Sequence, residues 1–528
     1  MSTNYTVFQI ISIFGSAAIG VMSIICFHVL KKPRAALFLL FAAATFIRFS
    51  IISYDPYLNF WDEQFHALVA KNMMKNPFMP MLYSDPVLPV YPGNWVSNSV
   101  WLHKPPLFLW QMAISMKIFG VNEFAMRLPS ALMSVLTMLM IYSVARRWLN
   151  KYIAFYAALL FTFSAFMLDL VSGYNSTDHN DVAFIFYVTA SFWAWSKYLM
   201  NKNCKLALLV GLAAGCAVLV KWLPGLLIFA SWGAAILFSK NMRANGKIYL
   251  HFGIAFVCSL IVFLPWNIYA AYMFPAEYAI TFTAKSGHIW NVVEGHSGGI
   301  FYHFHSMDKI YATGIKWMIV PALVLMMRRI RFHEIRTGAI VFIVLPFIVF
   351  SASATKMPAF TLISSLIVYI AIATLMYEVI LFFRPRYARF KQTGKYFVAI
   401  ILVLTLFWFY NVDSIQYKHT SWKKEIEFYR DQRRQSVKIF KFMNNQSNYA
   451  KNSVFVNCKQ YDAVMMMFYT HFTAYDGVPD EIQMQYLERC GRPVYAFDNG
   501  AMDNFWEEYP FVTPIRHLRY WETVAEKE

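Results

Sequence analysis

The stretch "VWLHKPPLFLW", residues 100–110, sets a histidine, a lysine and two prolines inside an otherwise apolar run. Proline lacks an N–H and fits the first helical turn, so Pro105 and Pro106 stop one helix and start the next. Two readings compete. In one, the cluster is a plain loop between membrane helices. In the other, it is a fixed cationic corner of a site at the membrane surface. The rest of the chain decides between them.

Of the 528 residues, 58% are hydrophobic and only 14% are charged, whereas soluble domains carry about a quarter charged residues. The composition is that of a membrane protein. A formal net charge of +18 would suit nucleic acid only if it formed a basic face on a soluble fold. Here the basic residues fall between apolar stretches, as membrane topology requires. Six cysteines without a CxxC pair argue against both a disulfide scaffold and a zinc site. The N-terminal apolar run lacks a basic leader and is long enough to span, so it reads as a membrane helix and not as a cleaved signal.

Twelve stretches have spanning character: 8–30, 35–54, 127–146, 152–171, 182–199, 206–221, 224–239, 248–266, 311–327, 337–352, 359–383 and 395–411. The gaps between them alternate in charge. One set holds Lys31, Lys32 and Arg34, then Arg146, Arg147 and Lys151, then Lys197, Lys202 and Lys205, then Lys240, Arg243 and Lys247. It continues through Arg328–Arg336 and Arg384–Lys395, with Glu334 as essentially its one acid. By the positive-inside rule these short loops are cytoplasmic, which puts both termini and every long loop outside.

Three outer segments remain: loop 55–126, loop 267–310 and the tail 412–528. Within the first, 107–119 is apolar but short, and reads as a helix along the membrane surface. The tail alternates strand and helix through "SVFVN", "QYDAVMMMFYT", "FTAYDG", "DEIQMQYLERC" and "RPVYAFD", the pattern of a small α/β domain. Cys458 and Cys490 both lie in it on the oxidising side, where a disulfide and two unpaired thiols are equally open. The expected fold is thus an α-helical polytopic membrane protein of about twelve spans with a small C-terminal α/β soluble domain. Its parts are an extra N-terminal helix (1–34), a main membrane module (35–411) and the outer domain (412–528).

Ionisable groups gather at the outer ends of the spans, where burying them is expensive. Asp62 and Glu63 follow the second span, and His103 and Lys104 lie further along the same loop. Asp178 and Asp181 sit in "GYNSTDHNDVAF", Lys221 in "VLVKWLPG", Lys285, His288 and His296 in "TAKSGHIWNVVEGHSGG", and Lys356 in "SASATKMPAF". Lysines are counter-charges for a phosphate at the membrane surface, and a carboxylate is the general base for a hydroxyl nucleophile. Singly, each has a duller explanation, a snorkelling lysine or a helix cap. Together on one face they point to transfer of a group from a lipid phosphate to an acceptor.

The order of an acidic pair after an early span, then "HKPPLFLWQMAISMKIFGVNEFAMRLPSAL" (103–132), resembles the GT-C membrane glycosyltransferases. Within that group it resembles the aminoarabinose transferase and protein O-mannosyltransferase superfamily, over roughly residues 35–380. "VLVKWLPG", "LPWNIYAAYMFP" and "SATKMPAF" follow in the expected order. The resemblance implies a polyprenyl-phosphate-linked sugar donor, bound from the bilayer, and inverting transfer to a lipid, glycan or protein hydroxyl on the periplasmic or lumenal side. The bacterial inner membrane is the expected location.

Carried over, the catalytic carboxylate is Asp62, with Glu63 as the alternative. Lys104 contacts the donor phosphate, and Lys221 and Lys356 match further phosphate-side positions. Three departures stand out. His103 occupies a position that is often acidic in the aminoarabinose branch and histidine in the mannosyltransferase branch, which leaves the branch open, Phe360 stands where the family has a tyrosine, and "TAKSGHIW" aligns so that Lys285, His288 or neither fills the expected basic positions. Lys285 joins the phosphate-side candidates. His103, Asp178, Asp181, His288 and His296 are the candidates for substrate or for a divalent metal ion, which nothing in the spacing demands. The rival reading is a lipid flippase or transporter, but no internal repeat or mid-membrane charge speaks for it.

Overall fold

Each of the twelve apolar stretches lies on helical structure in the computed structural model, which describes residues 6–89, 96–174, 178–387, 394–412, 415, 424–459, 461–498, 503–516 and 520. Among these residues seven helices are long and apolar enough to cross a bilayer, or nine if each of two bent pairs counts as one span. The remaining stretches lie on Asp178–Asn201 and on the shorter helices Leu223–Phe238 and Gly394–Tyr410.

Helix ends follow the local chemistry. Asn122 caps Glu123–Trp148 by accepting from the Ala125 N–H at 2.8 Å, and Arg146 and Arg147 sit in its last turn, where cations favour the helix dipole. Close helix contact is set by small residues. Gly211 and Gly215 let Cys204–Lys221 press onto Gly246–Met273, since a Cβ at either would collide with the Ala255 or Ser259 carbonyl.

The stretch 152–171 is not one straight helix: Lys151–Thr162 and Ala165–Val171 meet at a 53° bend. A break inside a bilayer frees backbone carbonyls that need a donor. Arg48, fully buried on Pro33–Ile51, supplies it. Its guanidinium donates to the Phe161 and Thr162 carbonyls at 3.1 Å each and to Ser134 Oγ at 2.7 Å.

The segment 267–310 departs from the expected loop. Gly246–Met273 runs on past residue 267, and Pro275–Trp290 and Tyr302–Ile310 are helices, the last turning 95° into Ile315–Arg329. Proline at the start of Pro275–Trp290 favours a new helix there.

In the tail, four parallel strands, β1 (Val454–Cys458), β2 (Thr473–Asp476), β3 (Val494–Phe497) and β4 (Val512–Ile515), pair in the order β2-β1-β3-β4. Helices Asp462–Tyr469 and Glu481–Arg489 fall where the sequence alternation put them. Cys458 and Cys490 are both free thiols. The sheet unit is anchored to the segment 55–126. Lys71 Nζ caps the carboxyl end of Asp462–Tyr469 by donating to the Met467, Phe468 and Thr470 carbonyls at 2.6, 2.9 and 2.7 Å. Tyr83 and Tyr475 stack at 5.0 Å, and Arg430 Nη2 reaches Asp55 Oδ1 at 3.0 Å.

Candidate active site

Trp61 takes φ 75° and ψ −125° just before helix Asp62–Met73. Such a backbone costs about 1–3 kcal/mol for a bulky residue and persists only where its surroundings fix it. It delivers two adjacent, buried carboxylates, Asp62 and Glu63, at the helix start. Their surroundings differ.

Glu63 is saturated. Arg127 donates through Nε to Oε1 at 2.7 Å and through Nη2 to Oε2 at 2.9 Å, His179 Nε2 lies 3.0 Å from Oε1, and the Asn59 N–H donates to Oε2. The carboxylate also lies against Gly173, at φ 75°, where a Cβ would collide with it. Burial by itself raises the Glu63 pKa, but the Arg127 guanidinium and His179 override it and hold the carboxyl well below the usual carboxylate range. Arg127 spends its other donors on the Ile52, Asp55 and Tyr57 carbonyls at 3.1, 2.8 and 2.7 Å. This network fixes the loop ahead of the helix.

Asp62 faces Lys104 instead, with Nζ 3.8 Å from Oδ2. One turn along, His66 packs edge-on to Phe108 at 4.8 Å, and burial lowers its pKa to about 4, so it is neutral beside Asp62. Lys104 and Pro105 line a cleft of about 470 Å³, open space included, together with Trp222, Trp266, Tyr278 and Lys285. Pro106 precedes helix Leu107–Phe119, which fixes the lysine at the cleft wall. Burial, with the Lys104 ammonium nearby, lowers the Lys285 pKa to about 7. His103 is half-buried near Trp101, and burial, then Lys104, pushes its pKa well below the usual range.

The other candidates divide. Lys221 pairs with Asp181 and lies 5.8 Å from the Phe360 ring centroid. Lys356 Nζ is drawn to the Ser351 carbonyl at 2.9 Å and to that of Ser353, at the end of His333–Ala352. Through their backbones His288 and His296 accept from the Thr355 and Lys356 N–H groups at 3.1 and 2.9 Å, which stitches this segment to "SATK". Burial lowers the His288 pKa, with Lys104 adding to it. Asp178 begins helix Asp178–Asn201, and its side chain lies outside the described residues.

Among the described residues no group of three or more His, Cys, Asp or Glu side chains is arranged to hold a metal ion. The donors suggested from sequence do not gather: Asp181 is taken by Lys221, and His103 stands beside the Lys104 ammonium. Arg127, His179, Asn59 and His66 were not singled out from sequence. The "FAMRLPSAL" motif, which contains Arg127, was the available signal.

The family described as dolichyl-phosphate-mannose-protein mannosyltransferase matches residues 103–269. An undecaprenyl phosphate-α-4-amino-4-deoxy-L-arabinose arabinosyl transferase of Pseudomonas fluorescens is 33% identical over 187 residues, 33% of this chain and 32% of its own length. The corresponding transferase of Pseudomonas aeruginosa is 26% identical over 301 residues, 51% of this chain and 49% of its own. The matched region thus spans a third to a half of these curated relatives. The crystal structure of ArnT from Cupriavidus metallidurans bound to undecaprenyl phosphate shares the fold with a TM-score of 0.61 at 16% identity, covering 89% of this chain and 90% of that one. The chain is therefore a polytopic membrane protein with the GT-C fold, similar over residues 103–269 to the protein mannosyltransferases and over about half its length to the aminoarabinose transferases.

Proposed function

We propose that this protein transfers a sugar from a polyprenyl-phosphate donor to an acceptor hydroxyl by a single inverting displacement. The observation that carries the reading is the buried Asp62 carboxylate 3.8 Å from Lys104 Nζ at the wall of a cleft that also holds Lys285. A carboxylate beside one ammonium group, with a second lysine in the same cleft, is what a hydroxyl nucleophile and a departing phosphate need together.

Asp62 takes the proton of the acceptor hydroxyl. The oxygen forms its bond to the anomeric carbon on the face opposite the phosphate, and the carbon–phosphate oxygen bond breaks. Its electron pair leaves with the polyprenyl phosphate, whose growing charge Lys104 and Lys285 stabilise. Glu63 is a positioning residue: with its oxygens held by Arg127 and His179, it keeps the helix start in place and leaves Asp62 as the base. Lys221 and Lys356 act at longer range, as fixed positive charge around the phosphate.

Residues 35–411 carry this chemistry, residues 1–34 add a helix, and 412–528 guide the acceptor. The basic short loops support an orientation with Asp62 and the sheet unit on the periplasmic side of a bacterial inner membrane. The test is release of polyprenyl phosphate from defined donors by purified wild type, Asp62→Asn and Lys104→Ala, with and without acceptor and chelator. Acceptor-dependent release lost in both variants supports the reading, and release retained by Asp62→Asn overturns it.

A further inference from the structure

Two aromatic residues with left-handed backbones meet beside the candidate base. Trp61, φ 75°, immediately precedes Asp62, and Tyr461, φ 59°, immediately precedes Asp462 at the start of Asp462–Tyr469. Their rings meet edge to face at 5.2 Å, and Phe60 meets Tyr461 at the same separation. Neither conformation suits a large side chain, and residues held in such backbones gather at ligand clamps. Tyr461 is held by the sheet: its N–H donates to Asp476 Oδ2 at 2.8 Å, and the Ala463 N–H donates to Oδ1 at 3.1 Å.

The position within the fold is equally specific. Tyr461 lies just beyond the carboxyl end of β1 and Asp476 ends β2, the edge at which open parallel sheets bind ligands. Phe60 is 43% exposed despite its size, Trp61 and Tyr461 are half-buried, and the Arg433 guanidinium lies 5.3 Å over the Phe60 ring. Flat aromatic faces bordered by a guanidinium suit a sugar ring, whose C–H faces stack on arenes while its hydroxyls take hydrogen bonds. An extended peptide would instead look for a free strand edge.

We propose that Phe60, Trp61 and Tyr461 form the acceptor subsite, and that the acceptor is a saccharide whose ring stacks there with a hydroxyl directed to Asp62. The sheet unit then completes the site by contributing Tyr461 and Arg433. This inference rests on the transfer reading above, and its test is direct binding, which needs no turnover.

Saturation-transfer NMR and calorimetry would be run on the full-length protein in detergent with maltohexaose, a glucosamine disaccharide glycolipid and a serine- and threonine-containing peptide. At least one saccharide probe should bind, with affinity at least tenfold weaker for Phe60→Ala and Tyr461→Leu and restored by Tyr461→Phe. Undecaprenyl phosphate binding by the same variants checks that they are folded. Asp62→Asn should keep saccharide binding, which separates this outcome from failure of the catalytic assignment. Binding of the peptide alone, binding of none of the three, or saccharide binding equal in all variants would overturn the proposal.

Discussion

Lys104 Nζ stands 3.8 Å from Asp62 Oδ2, while Glu63, one residue on, accepts both arms of the Arg127 guanidinium. Two neighbouring carboxylates are thereby sorted into different tasks. One pairs with Lys104 at the cleft wall, and the other is spent on structure.

That division predicts opposite phenotypes. Asp62→Asn should cut transfer by about 10²–10⁴-fold, the usual worth of a general base, with little change in thermal unfolding. Glu63→Gln breaks a buried ion pair and should cost about 3–5 kcal/mol, seen as a lowered unfolding temperature before any effect on rate is considered. Equal loss of stability in the two variants would contradict the assignment.

Lys104→Ala should lower kcat by about 10²–10³-fold, as removal of one electrostatic stabiliser of a leaving oxyanion does. Lys356→Met should cost mainly stability, because its ammonium serves carbonyls at the end of His333–Ala352. Kinetics on both variants with one donor compares them directly.

The lowered Lys285 pKa gives a pH dependence with a defined sign. In the folded protein this lysine loses its proton near 7, against 10.5 as the ordinary value. The unfolded chain therefore holds more protons between those limits, and this group's contribution to stability rises with pH across that window. Donor binding runs the other way. A phosphodiester donor favours the ammonium form, so affinity should fall as pH climbs above about 7. Lys285→Met should flatten that profile, which titration calorimetry at several pH values would measure.

Arg48→Met should expose how the broken span is held. It removes the Arg48 donor from the Phe161 and Thr162 carbonyls and leaves that of Thr162 unsatisfied. An unsatisfied buried polar group costs about 1–3 kcal/mol, so thermal unfolding in detergent should drop clearly while donor specificity is unchanged.

Much of this architecture is legible in the sequence because its signals are local. Apolar stretches of spanning length became helices, and the strand-helix alternation from "SVFVN" to "RPVYAFD" became β1 to β3 with their helices. What was hidden depends on distant partners. Glu63 reads as a second catalytic candidate until Arg127, 64 residues away, and His179, 116 residues away, close on it. The bend after Thr162 leaves no mark in hydropathy, since both halves are apolar and the compensating Arg48 belongs to another helix. In 275–290 glycine and histidine suggested loop, yet the proline start and a continuous backbone ladder made a helix.

The most direct test of the central claim is acceptor-dependent release of polyprenyl phosphate by wild type and Asp62→Asn at saturating donor. The account predicts turnover by wild type and a loss of at least about a hundredfold in the variant, with donor phosphate still bound. Near-normal turnover by Asp62→Asn would contradict it.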